Sequence, residues 1–122
     1  MDISKRTTVK WIRDLNKRKI HREEFCAICA TTDKLEVHHY HTVSLLVDKW
    51  LRISGKREID VLEWREEFIE EHYHQLITDV VTLCSKHHKH LHSIFGESPP
   101  VHLVEKQKRW VGIQKDKHGK LV

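Results

Sequence analysis

Leu35-Glu36-Val37-His38-His39 and Leu83-Cys84-Ser85-Lys86-His87-His88-Lys89-His90-Leu91-His92 are the two stretches on which the fold of this chain turns. The first alternates apolar and polar residues as a short strand does. Successive side chains on a strand point to opposite faces, so His38 and His39 are expected on opposite sides. The second follows the β-branched run Val80-Val81-Thr82, a second short strand, and meets no glycine or proline before Gly96. That predicts a helix from about Ser85 to Phe95. On it His88 and His92 stand four apart, share a face and can grip one metal ion. His38 could complete a three-histidine set with positions open for water and phosphate. His39 is then free to take a proton from water, a role suited to a side chain with an unperturbed pKa of ~6.5.

A second set of ligands lies beside the first. Cys26 and Cys29 form a C-x-x-C turn, and Cys84 with His87 forms a C-x-x-H pair. Together they make the closed tetrahedral sulfur and nitrogen set that structural zinc prefers. All three cysteines are used and no ligand serves twice. The competing possibility, buried free thiols beside a surface histidine, leaves these spacings unexplained. The other histidines (His21, His41, His72, His74, His90, His102 and His118) are assigned to surface or packing.

Working outward, residues 8–19 place Val9, Ile12 and Leu15 at helical spacing, with Thr7 or Thr8 as the N-cap. Residues 43–53 and 60–76 are two more amphipathic helices, the first ended by Ser54-Gly55. Trp50, Trp64 and Phe68 are expected to join these two helices in a core. Ser98-Pro99-Pro100 marks a boundary. Beyond it one more helix is expected over 101–113, with the last residues frayed.

The chain has 122 residues, 39% hydrophobic and 33% charged, which suits one domain with a small core. An odd cysteine count with a C-x-x-C pair favours metal thiolates over a disulfide framework and implies a reducing compartment. There is no apolar run of ~18 residues to span a membrane, and no apolar signal segment. A cytoplasmic, non-secreted protein is therefore expected. Residues 1–22 carry eight basic side chains against two acidic, and 103–122 carry six against two. Residues 56–79 run the other way, with eight acidic against three basic. Two basic ends suggest arms for a polyanion. Lys10, Arg13, Lys17, Arg18, Lys108 and Arg109 are the candidate phosphate contacts.

Taken in order, C-x-x-C, Leu-Glu-Val-His-His and Leu-Cys-x-x-His-His-x-x-x-His resemble an HNH endonuclease of the His-Me finger, or ββα-metal, group. The resemblance covers about residues 25–96. It implies an α+β fold: a small ββα-metal core stapled by structural zinc, with flanking helices and a helical insertion at about 43–76. Residues 1–24 would be a basic N-terminal helix and 97–122 a basic C-terminal extension. It implies that His38, His88 and His92 hold one catalytic divalent ion (Mg²⁺, Mn²⁺, Ni²⁺ or Zn²⁺) and that His39 is the general base. The family's middle Asn falls on Asp79, which could accept a hydrogen bond from His39. His87 stands where the family often has Cys, and the adjacent His88 could exchange roles with it.

The expected activity is metal-dependent hydrolysis of DNA phosphodiester bonds, in an enzyme of phage or mobile-element type. A rival from another class is a non-catalytic, zinc-stapled nucleic-acid-binding module, which has no need of a free base beside a metal ligand. A protein-interaction domain built on the acidic helix explains the charge split but not the histidines. DNA is the expected partner. Whether two chains act together, or with a phage or host protein, stays open.

Overall fold

In the computed structural model, which describes residues 4–120, two strands meet across a long helical excursion. β1 (Leu35–His39) and β2 (Val80–Cys84) pair antiparallel, with Leu35 opposite Cys84 and His39 opposite Val80. Between them lie α2 (Val43–Ser54) and α3 (Val61–Glu71). α1 (Lys5–Lys19) precedes the sheet, and α4 (Ser85–Phe95) and α5 (Val104–Lys120) follow it. The chain is thus a small α+β protein, mostly helical around a two-stranded sheet.

Two apolar clusters hold it together. Ile12 of α1 packs with Val43, Val47 and Trp50 of α2 and with Val61, Trp64, Phe68 and Ile69 of α3. The rings of Trp50, Trp64 and Phe68 lie 4.9–6.1 Å apart in tilted and edge-on contacts, so these aromatics are core, as their spacing suggests. The second cluster gathers Cys26, Ile28, Tyr40, Leu83, Cys84 and Leu91 with Val104 and Val111 of α5. α1 is therefore docked, not a loose arm, and α5 closes over the sheet and α4.

Several boundaries differ from those expected. α1 begins earlier, because Ser4 is the N-cap: its Oγ accepts from the Thr7 N–H at 3.2 Å, while Thr8 is buried inside the helix. The expected helix 60–76 stops at Glu71, and a separate π-helical turn (His74–Thr78) follows, closed by the Asp79 N–H on the His74 carbonyl at 2.7 Å. α5 runs on to Lys120, straight through Gly112, which costs a helix only ~1 kcal/mol relative to Ala. α2 ends at Gly55 with φ of 72°, the left-handed conformation that glycine adopts freely.

Among the described residues no helix is long and apolar enough to cross a membrane. The three cysteines are free of disulfides.

Candidate functional site

The thiol set is assembled by a tight turn against β2. The Ala30 N–H bonds the Cys26 carbonyl at 2.9 Å, and the Ile28 N–H points to Cys26 Sγ at 3.4 Å. The Ala27 N–H donates to the Thr82 carbonyl at 2.9 Å, which pins the turn to the strand that delivers Cys84. Cys29 and Cys84 Sγ are 3.9 Å apart, and His87 Nδ1 lies 3.2 Å from Cys84 Sγ and 3.9 Å from Cys26 Sγ. Tetrahedral zinc with bonds of about 2.3 Å separates its sulfur ligands by about 3.8 Å, so these four residues could hold a metal ion such as zinc. Burial opposes the thiolate at Cys26, yet the backbone N–H groups around its sulfur outweigh burial and lower its pKa. Burial raises the pKa of Cys29. His87, not His88, faces the sulfurs.

The histidine set lies on the other side of α4. His38 Nδ1 is 3.2 Å from His88 Nε2, which is 3.1 Å from His92 Nε2. The opposite nitrogen of each ring meets an oxygen: His38 Nε2 meets Gln107 Oε1 at 2.7 Å, His88 Nδ1 meets Glu36 Oε1 at 3.0 Å, and His92 Nδ1 meets the Gly96 carbonyl at 2.8 Å. Gln107 also donates from Nε2 to the Tyr40 carbonyl, so its Oε1 is the atom left to accept. An imidazole nitrogen facing a carbonyl, amide or carboxylate oxygen carries the hydrogen, which leaves the lone pair on the other nitrogen. The three lone pairs therefore converge, as a metal site requires. Burial pushes the pKa of His38 down to about 3 and also lowers that of His88, so both rings stay neutral.

His39 points to the opposite face from His38, as strand alternation demands. Its Nε2 is 3.1 Å from the Leu76 carbonyl and 3.1 Å from Asn16 Nδ2. Among the described residues Nδ1 has no hydrogen-bond partner, and it is not among the buried unpartnered atoms, so it opens to the cleft. Burial pushes the His39 pKa down to about 4, against the opposing pull of the Leu76 carbonyl.

All four rings line one cleft of about 640 Å³. Arg13, Lys17 and Arg22 are also on its wall, as are Glu36 and Glu97. Of the candidate phosphate contacts, only Arg13 and Lys17 are brought there. Lys10 is paired with Asp14 at 3.0 Å, and Arg18 and Arg109 are exposed elsewhere on α1 and α5. Lys108 is bound to Asp79 at 2.8 Å and lies over the Tyr40 ring.

Asp79 does not accept from His39. Its Oδ2 takes His41 Nε2 and Lys108 Nζ, each at 2.8 Å. Burial opposes its ionisation, but these two donors prevail and hold its pKa below the usual carboxylate range. The amide beside His39 is instead Asn16 of α1. Arg22 was counted only within the basic N-terminal run, and Asn16 and Gln107 are residues that sequence reasoning missed. Their only signal was position on an amphipathic pattern: Asn16 lies four after Ile12, and Gln107 lies between Val104 and Val111.

The model of a nicking endonuclease family matches residues 2–120, nearly the whole chain. The chain belongs to this nicking endonuclease family. Membership makes it a DNA-cleaving enzyme, and the two non-catalytic alternatives give way. No solved structure matches the chain.

Proposed function

We propose that this nicking endonuclease is an HNH-type, metal-dependent phosphodiester hydrolase. Residues 25–96 are read as the nuclease module, with β1, β2 and α4 as its ββα-metal core. Cys26, Cys29, Cys84 and His87 hold a structural zinc. His38, His88 and His92 hold one divalent ion, and His39 is the general base. The observation that carries this proposal is the hydrogen-bond pattern of the four rings. Three are oriented by oxygen partners so that their lone pairs meet, while the fourth keeps a nitrogen in the same cleft that has no partner among the described residues.

When bound, the ion supplies charge stabilisation to the scissile phosphate and the departing 3′ oxygen. Its identity is open, since imidazole ligands suit several divalent metals. The chain's own residues do the rest. His39 receives a proton at Nδ1 from the attacking water, while its Nε2–H stays on the Leu76 carbonyl, so the new positive charge meets an acceptor already in place. Gln107 fixes which nitrogen of His38 faces the ion. Arg13 and Lys17, with Arg22, bind backbone phosphates along one wall, an attraction that weakens with salt. Lys10, Arg18 and Arg109 are left as outer contacts for flanking DNA. Asp79 shapes the floor through His41 and Lys108 and is not assigned to the proton transfer.

The test is cleavage of a supercoiled plasmid by protein stripped of loosely held ions and resupplied separately with Mg²⁺, Mn²⁺, Ni²⁺ and Zn²⁺. Nicked circles should accumulate with at least one ion and be lost in a folded His39→Ala variant. Tight DNA binding with no nicking under any ion would sink the assignment.

A further inference from the structure

Asn16 is 1% exposed and sits on the inward face of α1, three residues after Arg13 and one before Lys17. Its Nδ2 donates to the Leu76 carbonyl at 3.0 Å, and its Oδ1 is the one buried side-chain polar atom without a partner among the described residues. An unpaired buried acceptor costs about 1–3 kcal/mol, a cost that an apolar residue in the same place would not incur. Turning the amide over does not remove it. Oδ1 would then stand 3.1 Å from His39 Nε2 but also 3.0 Å from the Leu76 oxygen, acceptor against acceptor, and the NH₂ group would be stranded instead. The amide is therefore held as it stands, beside His39, with its Oδ1 unpaired.

The Leu76 carbonyl has two lone pairs: Asn16 Nδ2–H takes one, and His39 Nε2, 3.1 Å from both that oxygen and Asn16 Nδ2, meets the other in the tautomer with hydrogen on Nε2. Leu76 belongs to the π-helical turn, and its buried carbonyl meets Asn16 and His39. In the tautomer with hydrogen on Nε2 the ring's lone pair is left on Nδ1, the nitrogen open to the cleft; in the other, Nε2 accepts from Asn16 Nδ2–H instead. If the carbonyl were free to turn away, the alternative tautomer, with hydrogen on Nδ1 and nothing to abstract a proton, would lose its disadvantage.

We propose that Asn16 is a positioning residue for His39: it anchors the Leu76 carbonyl and packs against the ring, so that the Nδ1 lone pair faces the cleft. The proposal rests on His39 being the base. It also makes α1 a working part of the site, because the helix that carries Arg13 and Lys17 to the phosphates carries the base's anchor as well. DNA gripped by α1 is thereby registered against the water-activating ring.

The experiment compares the full-length protein with Asn16→Ala and His39→Ala in single-turnover nicking of supercoiled plasmid with Mn²⁺. DNA affinity is measured separately, and long-range ¹H–¹⁵N spectra identify the His39 tautomer. The wild-type ring should carry its hydrogen on Nε2. Asn16→Ala should bind DNA within about twofold of wild type, yet nick at least about tenfold more slowly and show a mixture of tautomers. A purely structural Asn16 would leave tautomer and chemical step unchanged. Wild-type speed in Asn16→Ala, with His39→Ala inactive, overturns the positioning role alone. A wild-type ring with hydrogen on Nδ1 overturns it too, whether or not the variant folds. Wild-type speed in His39→Ala overturns the base assignment and the positioning role together.

Discussion

The helices α1 to α3 and the segment that runs from Cys26 through the sheet to α4 solve the same problem by different means. The first half buries three aromatic rings and a row of branched aliphatics, with Phe68, Ile12 and Val47 fully out of water. The second half has few large apolar side chains, and four of its central positions are thiols or an imidazole. An apolar core tolerates exchange of one hydrophobe for another of similar volume, whereas a ligand set tolerates almost none. The cleft lies where the two halves meet: α1 offers Arg13, Asn16 and Lys17, and β1 and α4 offer the histidines. The two halves are thus held by different means, and the cleft lies at the seam between them.

The sharpest way to break this comparison is to remove the proposed zinc. Structural zinc contributes ~10–16 kcal/mol in small zinc-dependent folds, so Cys84→Ser or a strong chelator should unfold the stapled half. Amide exchange should then show β1 and β2 unprotected, while Trp50 and Trp64 fluorescence stays close to native. Protected strands without metal would show that the apolar cluster suffices. Next, Phe68→Ala should destabilise the helical half by about 3–5 kcal/mol, read by urea unfolding, with zinc content unchanged.

A smaller effect tests the seam itself. Gln107→Leu removes the acceptor on His38 Nε2 and should weaken binding of the proposed ion about 10–100-fold, measured by titration with Mn²⁺. Unchanged affinity would mean that burial alone orients His38. The smallest is the response to acid. His38 and His39 have folded pKa values of about 3 and about 4, both below the unfolded value of ~6.5. Groups depressed in this way stabilise the fold fully above pH ~6.5, and that contribution is lost as pH falls towards 3. The thermal midpoint of protein dialysed free of added divalent ions should drop across that window. His39→Gln should flatten part of the decline.

Much of this was legible in the chain. The run from Ser85 to Phe95 has no breaker and ends at Gly96, so α4 could be read to the residue. Thiol and imidazole spacings are local, so Cys26 with Cys29, Cys84 with His87, and His88 with His92 come together as their intervals suggest. Strand alternation sends His38 and His39 to opposite faces. Asn16 and Gln107 were not legible, because a polar residue on a helix looks the same whether it faces water or a buried ring. Position 79 carried a motif-based expectation of a bond from His39; the carboxylate instead meets His41 and Lys108, the latter distant in sequence. The break after Glu71 carries no proline or glycine signal, and the π-helical turn that places the Leu76 carbonyl has no sequence signature.

The sheet register has a kinetic side. Leu35 pairs with Cys84, and Cys29 meets Cys84 across 55 positions, so neither contact forms without closing a long loop. Collapse of α2 onto α3 shortens that loop in effect, by bringing the ends of β1 and β2 close before they zip. The helical insertion thus acts as an internal template. The thiols and imidazoles come together only with that closure, so capture of the proposed ions would follow condensation of the hydrophobic half and complete the sheet, not start the folding.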